Sequence, residues 1–404
     1  MKRLIIAFMI IVCSTCSQPE NESILNEFQE IKNLSVYSAD TKSTHIIFLI
    51  KDTVYRESDE IIIGKLGEIA VDRLGLVFIA DTHKQVINVF EPDGKLINQI
   101  GREGRGPGEF SSIKSLIVRE NRLYVHDFHQ NRVNVFSLDS LQEEKTILLA
   151  KSRRDYSALV GAYSLTSEFI VGNRNTYFAK FLTNRTTNNS KRVIWQNIEI
   201  KGLLYLLDHN GGISRKLLEF TDTVYTIIPY NNLPAMEFPL TPFYGKAFTL
   251  LSSENIIYFI EPDHFLVKIY SPSGAYLHAF HYPLEKIPLT RASAINIGVS
   301  ELGTSNPELF INNMDSIVLP EFWPVLTDMK IDDEDRLWIA TTVEDMSFYE
   351  WWILQKDGEL ITRFEWPRDV PIEVIINGYI YTRETEKETG LQQIVRYRIE
   401  FEEV

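Results

Sequence analysis

One segment of this chain repeats at a fixed offset. In Ile69–Asp81 and again in Leu116–Asp127, an apolar run, a polar turn and a second apolar run end on an aspartate. Each then leads to a matching run, Val86-Ile87-Asn88-Val89-Phe90 in the first and Arg132-Val133-Asn134-Val135-Phe136 in the second. Asp81 and Asp127 lie 46 residues apart, as do Phe90 and Phe136. Apolar and polar residues alternate within the runs, which is the period of a strand, and Gly, Asp and Asn break them. An all-strand repeat of roughly 40–50 residues has the size of a four-stranded propeller blade. The expected fold class is therefore all-β, a closed β-propeller.

The longer string Ile69-Ala70-Val71-Asp72, Val77-Phe78-Ile79-Ala80-Asp81, Val89-Phe90-Glu91-Pro92-Asp93-Gly94-Lys95, Ile100-Gly101 and Gly106-Pro107-Gly108-Glu109-Phe110 resembles an NHL repeat. More narrowly, it is similar to the six-bladed propeller lipoproteins common in Bacteroidetes-related bacteria. The resemblance covers residues 60–137 and implies a closed ring; it implies no particular activity.

Further blades can be traced over 246–282 and 325–366, with a looser one at 155–220. The C-terminus offers three strands, Ile372–Ile376, Tyr379–Arg383 and Gln393–Phe401. His45–Tyr55 is a strand with no blade of its own, and it is expected to complete the last one. Pairing first and last segments closes the ring at six blades and removes the exposed edges of an open array.

The N-terminus reads as an export signal. Lys2 and Arg3 precede an apolar run, Leu4–Val12, of nine residues, too short to span a bilayer of about 30 Å. Both cysteines of the chain, Cys13 and Cys16, follow at once. This resembles a bacterial lipoprotein signal, with Cys16 as the acylated residue after the small Ser14 and Thr15, and Cys13 as the alternative. The expected organisation is a signal over 1–16, a polar tether over 17–43 (or a short helix, since Ile24, Leu25, Phe28 and Ile31 fall at helical spacing), and the propeller over 44–404. Export with a lipid anchor in the cell envelope follows, at the outer membrane, with the lipid as the sole membrane contact. A net charge of −14 argues against a nucleic-acid partner, because phosphate binding needs clustered Lys and Arg.

In a blade whose strands run a, b, c, d outward from the channel, the a–b and c–d turns share one face. The b–c and d–a connections share the other. Turns such as Asp72–Gly75 and Glu91–Gly94 use Asp and Gly for local backbone reasons, which makes their face structural. Insertions at about 174–200, 221–245, 283–321 and 342–348 all fall on the opposite face, where binding is expected. Its candidate residues are Asp81, His83 and Lys84, Arg102 and Arg105, Asp127, His129 and Gln130, and Glu261 with His264.

Asp81-x-His83 and Asp127-x-His129 recur in equivalent places, so they are the metal candidates, for calcium or zinc, although repeats also copy residues for structural reasons. Gly101–Phe110 is glycine-rich with two arginines but lacks the strand–loop–helix setting and Lys-Ser/Thr of a phosphate loop. No nucleophile signature is present. Phe348–Trp352 could stack on a sugar, but strand alternation places at least one of its tryptophans in the core. The expectation is a monomeric, non-catalytic binding or scaffold protein without a cofactor, meeting an envelope protein, peptide or glycan. The rival is a metal-dependent lactonase-like hydrolase or lyase, which needs three or more Glu, Asp, Asn or His side chains converging in the channel.

Overall fold

The computed structural model describes residues 28, 30–56, 63–150, 165–183, 196–230, 233–301, 308, 311, 314 and 317–404. Two strands come first, β1 (Leu34–Val36) and β2 (His45–Tyr55). Blade 1 is β3 (Leu66–Val71), β4 (Val77–Asp81), β5 (Val86–Phe90) and β6 (Leu96–Ile100). Blade 2 is β7 (Ile113–Arg119), β8 (Arg122–Asp127), β9 (Arg132–Ser137) and β10 (Glu143–Leu148). Blade 3 has five strands, β11 (Glu168–Val171), β12 (Tyr177–Leu182), β13 (Gln196–Leu207), β14 (Ile213–Tyr230) and β15 (Leu233–Pro239), and is followed by the single-turn helix α1 (Thr241–Tyr244). Blade 4 is β16 (Phe248–Leu251), β17 (Ile257–Ile260), β18 (Phe265–Tyr270) and β19 (Tyr276–Tyr282), with helix α2 (Arg291–Glu301) beyond it. Blade 5 is β20 (Leu326–Ile331), β21 (Leu337–Thr342), β22 (Phe348–Leu354) and β23 (Leu360–Pro367). The last blade takes β24 (Ile372–Ile376), β25 (Tyr379–Thr385) and β26 (Gln392–Glu403), and β2 is its outermost strand.

The protein is thus a six-bladed propeller closed as expected: β2 pairs antiparallel with β26 from His45↔Glu403 to Tyr55↔Ile394. The Arg396 Nε bonds Asp52 across that pair at 2.6 Å. Among the described residues the core falls into seven clusters, six of which each fill a seam between neighbouring blades. Phe78 and Ala80 of blade 1 meet Leu123 and Val125 of blade 2, for example, and Tyr55 and Tyr381 of blade 6 meet Val77 and Ile79 of blade 1. No blade holds a core of its own, so burial of apolar surface stabilises the ring as a whole.

The outer turns lock the same seams. Gly94, Gly211, Gly274 and Gly358 all have positive φ in c–d turns and sit against the fourth strand of the preceding blade, β2, β10, β14 and β19 respectively. A Cβ on Gly94 would meet the Val54 carbonyl oxygen at 3.0 Å, so this contact also seals the N-terminal strand into the ring.

Several boundaries differ from the expectation. The insertion read over 174–200 contains β12, a blade strand, and the b–c connection begins only at 183. The insertion read over 221–245 continues β14 out of the blade and returns along it as β15, with Tyr225↔Pro239 and Ile227↔Glu237 paired. Blade 3 opens at Glu168 rather than near 155, and 151–164 lie outside the described residues. Part of the stretch read as tether is β1, which runs parallel to β19 on the rim of blade 4, Leu34↔Ala279 to Val36↔His281. Of the helical-spacing residues Ile24 and Leu25 lie outside the described residues, as do 1–16, while Phe28 packs edge-on against His264 and His281. Both Trp351 and Trp352 are buried.

Candidate functional site

The two faces of the ring are unlike. No a–b or c–d turn exceeds five residues, whereas every long connection is b–c or d–a. Two of the long ones pack together: Leu240 and Phe243 beside α1 meet Ala294 of α2, Met314, Ile317 and Trp323, with Val224 of the β14 extension. They form a small second core on the loop face. Arg368 lies over both Trp323 and Tyr349 there, at 5.8 and 4.7 Å from the ring centres.

On the turn face, the a–b turns are bonded to one another around the axis. Arg174 N donates to Glu120 (2.7 Å), Asn173 N to Asn255 (2.6 Å), Ser253 N to Asp335 (2.6 Å), Asn377 N to Asp333 (3.2 Å) and Asn377 Nδ2 to the Asp72 carbonyl (2.9 Å). These bonds link blades 2 to 3, 3 to 4, 4 to 5, 5 to 6 and 6 to 1. The Arg119 guanidinium reaches from blade 2 past blade 3 to the Ser252 carbonyl of blade 4, 3.1 Å away, and so crosses the floor of the channel. The bonded turns thus lie at one end of the central channel, termed the pit, and the long loops at the other.

The inner strands carry charges toward the long-loop end. Glu68, Glu168, Asp328 and Glu373 each lie three places before the last residue of their inner strand, Val71, Val171, Ile331 and Ile376. Asp328 is paired with Lys330 at 2.7 Å and Glu373 with Arg383 at 2.6 Å. Arg383 also donates to the carbonyls of Leu66 and Gly67, tying blade 6 to blade 1. Lys180 is buried and bridges Glu168 (2.9 Å) and Asp222 (2.8 Å). Burial opposes the charge on Lys180, yet its two carboxylates hold its pKa above the ordinary lysine value. Burial likewise pushes Glu168 up, and Lys180 more than reverses this.

Glu68 differs. Water reaches it, but the enclosing wall thins its solvation and pushes its pKa up, and Glu373 adds to the rise against Arg383, Lys114 and Lys330.

A sequence model of the DUF5128 family, described as a 6-bladed beta-propeller, matches residues 21–232, just over half of the chain. The chain belongs to this family. Among curated proteins none matches it. Of solved structures, it is similar to a member of the DUF4221 family from Bacteroides vulgatus ATCC 8482, at 8% identity over 90% of this chain and 100% of that one, with a TM-score of 0.54. It is also similar to a candidate exported protein from Bacteroides fragilis NCTC 9343 (14% identity, 91% and 99% covered, TM-score 0.46). Virginiamycin B lyase from Staphylococcus aureus aligns too (14% identity, 89% of each chain, TM-score 0.38). The likeness to the DUF4221 protein is one of fold.

In this DUF5128 propeller the residues singled out from sequence stand on the loop face but outside the pit. Asp81 is fully buried and accepts from the backbone N–H groups of Gly64, Lys65, His83 and Lys84 at 2.8–3.2 Å. Burial works against its charge, but these four donors hold its pKa below the ordinary carboxylate value. Asp127 takes the same place in blade 2, bonded to Ser111, Ser112 and Arg132. Asp81 staples the incoming chain to its own b–c turn, and Asp127 staples it to Arg132 at the start of β9, which accounts for their recurrence.

His83, Lys84 and His129 are exposed and Gln130 half-buried on those turns. Glu261 is paired with Lys268 at 2.9 Å, and the His264 Nε2 lies 3.3 Å from the Lys286 ammonium. Among the described residues no three His, Cys, Asp or Glu side chains stand close enough to share a metal ion.

The glycine-rich loop supplies its own anion. Glu109 accepts from Arg105 N (3.0 Å) and Gly106 N (2.8 Å) and pairs with Arg102 (2.8 Å). No helix among the described residues is long and apolar enough to cross a membrane. Sequence reading missed the pit charges because each is an isolated residue in a short strand. Aligning the inner strands on their last apolar residue would have found the carboxylates.

Proposed function

We propose that this propeller is a non-catalytic binding protein of the bacterial cell envelope. It is exported and tethered at the outer membrane through acylated Cys16, with Cys13 as the second possible site. It acts as a monomer, with an envelope protein, peptide or glycan held on the loop-rich face and nucleic acid excluded by net charge.

One observation carries this reading. The open end of the pit, the long connections and their small second core share one face, while short bonded turns tie the other shut. Rigid scaffolds that present long loops on one side are built for recognition. The charged pairs on the inner strands are mutually neutralised, which suits binding. The exposed His83, Lys84, Arg105 and His129 ring the face as contacts.

The test is site-specific photocrosslinking in intact cells, with the crosslinker at His83, His129 or Lys286 on the loop face and at Arg73 or Asp357 on the turn face. Adducts from the loop-face positions alone support the reading. Adducts confined to the turn face, or none at any position, overturn it. Incorporation of labelled palmitate that is lost in Cys16→Ala checks the anchor, and loss only in Cys13→Ala reassigns it.

A further inference from the structure

We propose that the outer edge of β2, at the foot of blade 6, takes up an extended basic segment of another protein as an added strand. This surface is separate from the loop-rich face and goes beyond the reading above.

β26 outruns its blade. Its inner neighbour β25 starts at Tyr379, opposite Arg398, so Ile399–Glu403 pair only with β2, from Leu49↔Ile399 to His45↔Glu403. The two strands form a ribbon that continues past the turn face. One face of the ribbon is closed, because Ile47, Leu49, Ile399 and Phe401 pack against the core between blades 5 and 6. The other face carries Ile46, Phe48 and Ile50, which are 49, 43 and 40% exposed. Their cross-strand partners are Glu402, Glu400 and Arg398. Exposed apolar side chains scattered singly are ordinary, whereas three in line on one strand mark an interaction surface.

The edge itself points the same way. An outer strand pairs with other chains unless charge, proline or a cover blocks it. β10 carries Glu143, Glu144 and Lys145, β23 carries Arg363, Glu365 and Pro367, and β15 carries Pro234 and Glu237. β19 is covered by β1, and β6 is short with Asn98 and Gln99. His45–Ile50 has no Lys, Arg, Asp, Glu, Pro or Gly. β2 is the last strand of its sheet, and among the described residues no further strand bonds to it.

Charge selects the occupant. Glu400 is paired with Arg398, but among the described residues neither Glu402 nor Glu403 has an ion-pair partner. An added strand sets alternate apolar side chains beside Ile46, Phe48 and Ile50 and brings a Lys or Arg within reach of Glu402. A second copy of this chain would instead bring another net charge of −14 to the same edge.

The experiment is fluorescence polarisation of the full-length protein in detergent with the labelled peptide Lys-Thr-Val-Thr-Val-Thr-Val-Thr-Lys. As a strand it puts three valines and both lysines on one face. The controls are the same peptide with glutamates for lysines and the same peptide N-methylated along its backbone. We expect the basic peptide to bind and each control to bind tenfold weaker or worse. Phe48→Lys should lose the basic peptide by a similar factor with the wild-type melting profile, and Glu402→Gln should narrow the gap between basic and acidic peptides. If Phe48→Lys alters melting, Ile46→Lys takes its place. Silence with the basic peptide overturns the proposal, as does equal binding of either control or undiminished binding by the folded lysine variant. A dimer of the wild type that disappears in Phe48→Lys, read by sedimentation velocity, would assign the edge to a second copy and also overturn it.

Discussion

Gly358, in the c–d turn of blade 5, lies on the ring of Phe280 in β19, the fourth strand of blade 4. A Cβ at Gly358 would fall 2.5 Å from Phe280 Cγ, and φ there is +101°. The glycine answers a backbone requirement and a packing requirement at once, and the seam between two blades depends on it. Gly358→Ala should therefore lose about 3 kcal/mol, combining left-handed strain with overpacking. Gly378→Ala has similar backbone strain (φ +74°) and nothing within 4 Å, and should lose only about 1 kcal/mol. Urea denaturation of the two variants measures the difference; equal losses would remove the seam from the explanation.

Asp81 gives a second contrast. Replacing it with Ala strands the N–H groups of Gly64, Lys65, His83 and Lys84, and should cost about 3 kcal/mol. Its lowered pKa makes the stabilising contribution full above the ordinary carboxylate value, to be lost only as pH falls through the lower folded value. The deficit of Asp81→Ala relative to wild type should thus narrow only in strong acid. The change in melting on adding calcium or zinc should be the same in Asp81→Ala as in wild type; a metal-dependent difference between them would restore the Asp81–His83 ligand reading.

His126 sets an acid limit. It is buried between blades 2 and 3 against Phe128 and Phe169, and among the described residues neither ring nitrogen has a hydrogen-bond partner. Burial, helped by Lys114 and opposed by Asp127 and Glu168, pushes its pKa down to about 4 from 6.5. The unfolded chain then takes up the proton first, so stability should fall as pH drops from about 6.5 to 4, by on the order of 3 kcal/mol. His126→Phe should abolish that part of the pH dependence. A parallel loss in the variant, measured by chemical denaturation across this window, would refute it.

Glu68 predicts the opposite sign. Its folded pKa is raised, so the group favours the folded state below its ordinary pKa and opposes it once ionised in the pit. Glu68→Gln should melt higher than wild type at pH 7, with the gap closing toward pH 4. A variant that melts lower at neutral pH would show that the Glu68 charge is already compensated.

The blade pattern was legible where alternation and turn chemistry agree. Residues 69–100 and 116–148 form the strands their repeat implies, since Asp72 Oδ1 takes the N–H groups of Leu74 and Leu76 as a local event. His45–Tyr55 could be assigned to the last blade because a lone apolar strand beside a blade short of one strand has only one place to pair. Blade 3 was harder to read. Its β13 and β14 run past the normal blade length with several register shifts, so their pattern resembles an insertion when read alone.

What the sequence by itself determined was the number of blades, the closure and the sidedness of the long loops, because alternation, tight turns and repeat length are local properties that survive being read one segment at a time. The three-dimensional structure alone decided which charges share the pit and which turn glycines abut a neighbouring blade. It also decided that Asp81 and Asp127 hold backbone amides. Those depend on distances between residues of different blades, set when six seams close together, and no stretch of the chain contains them.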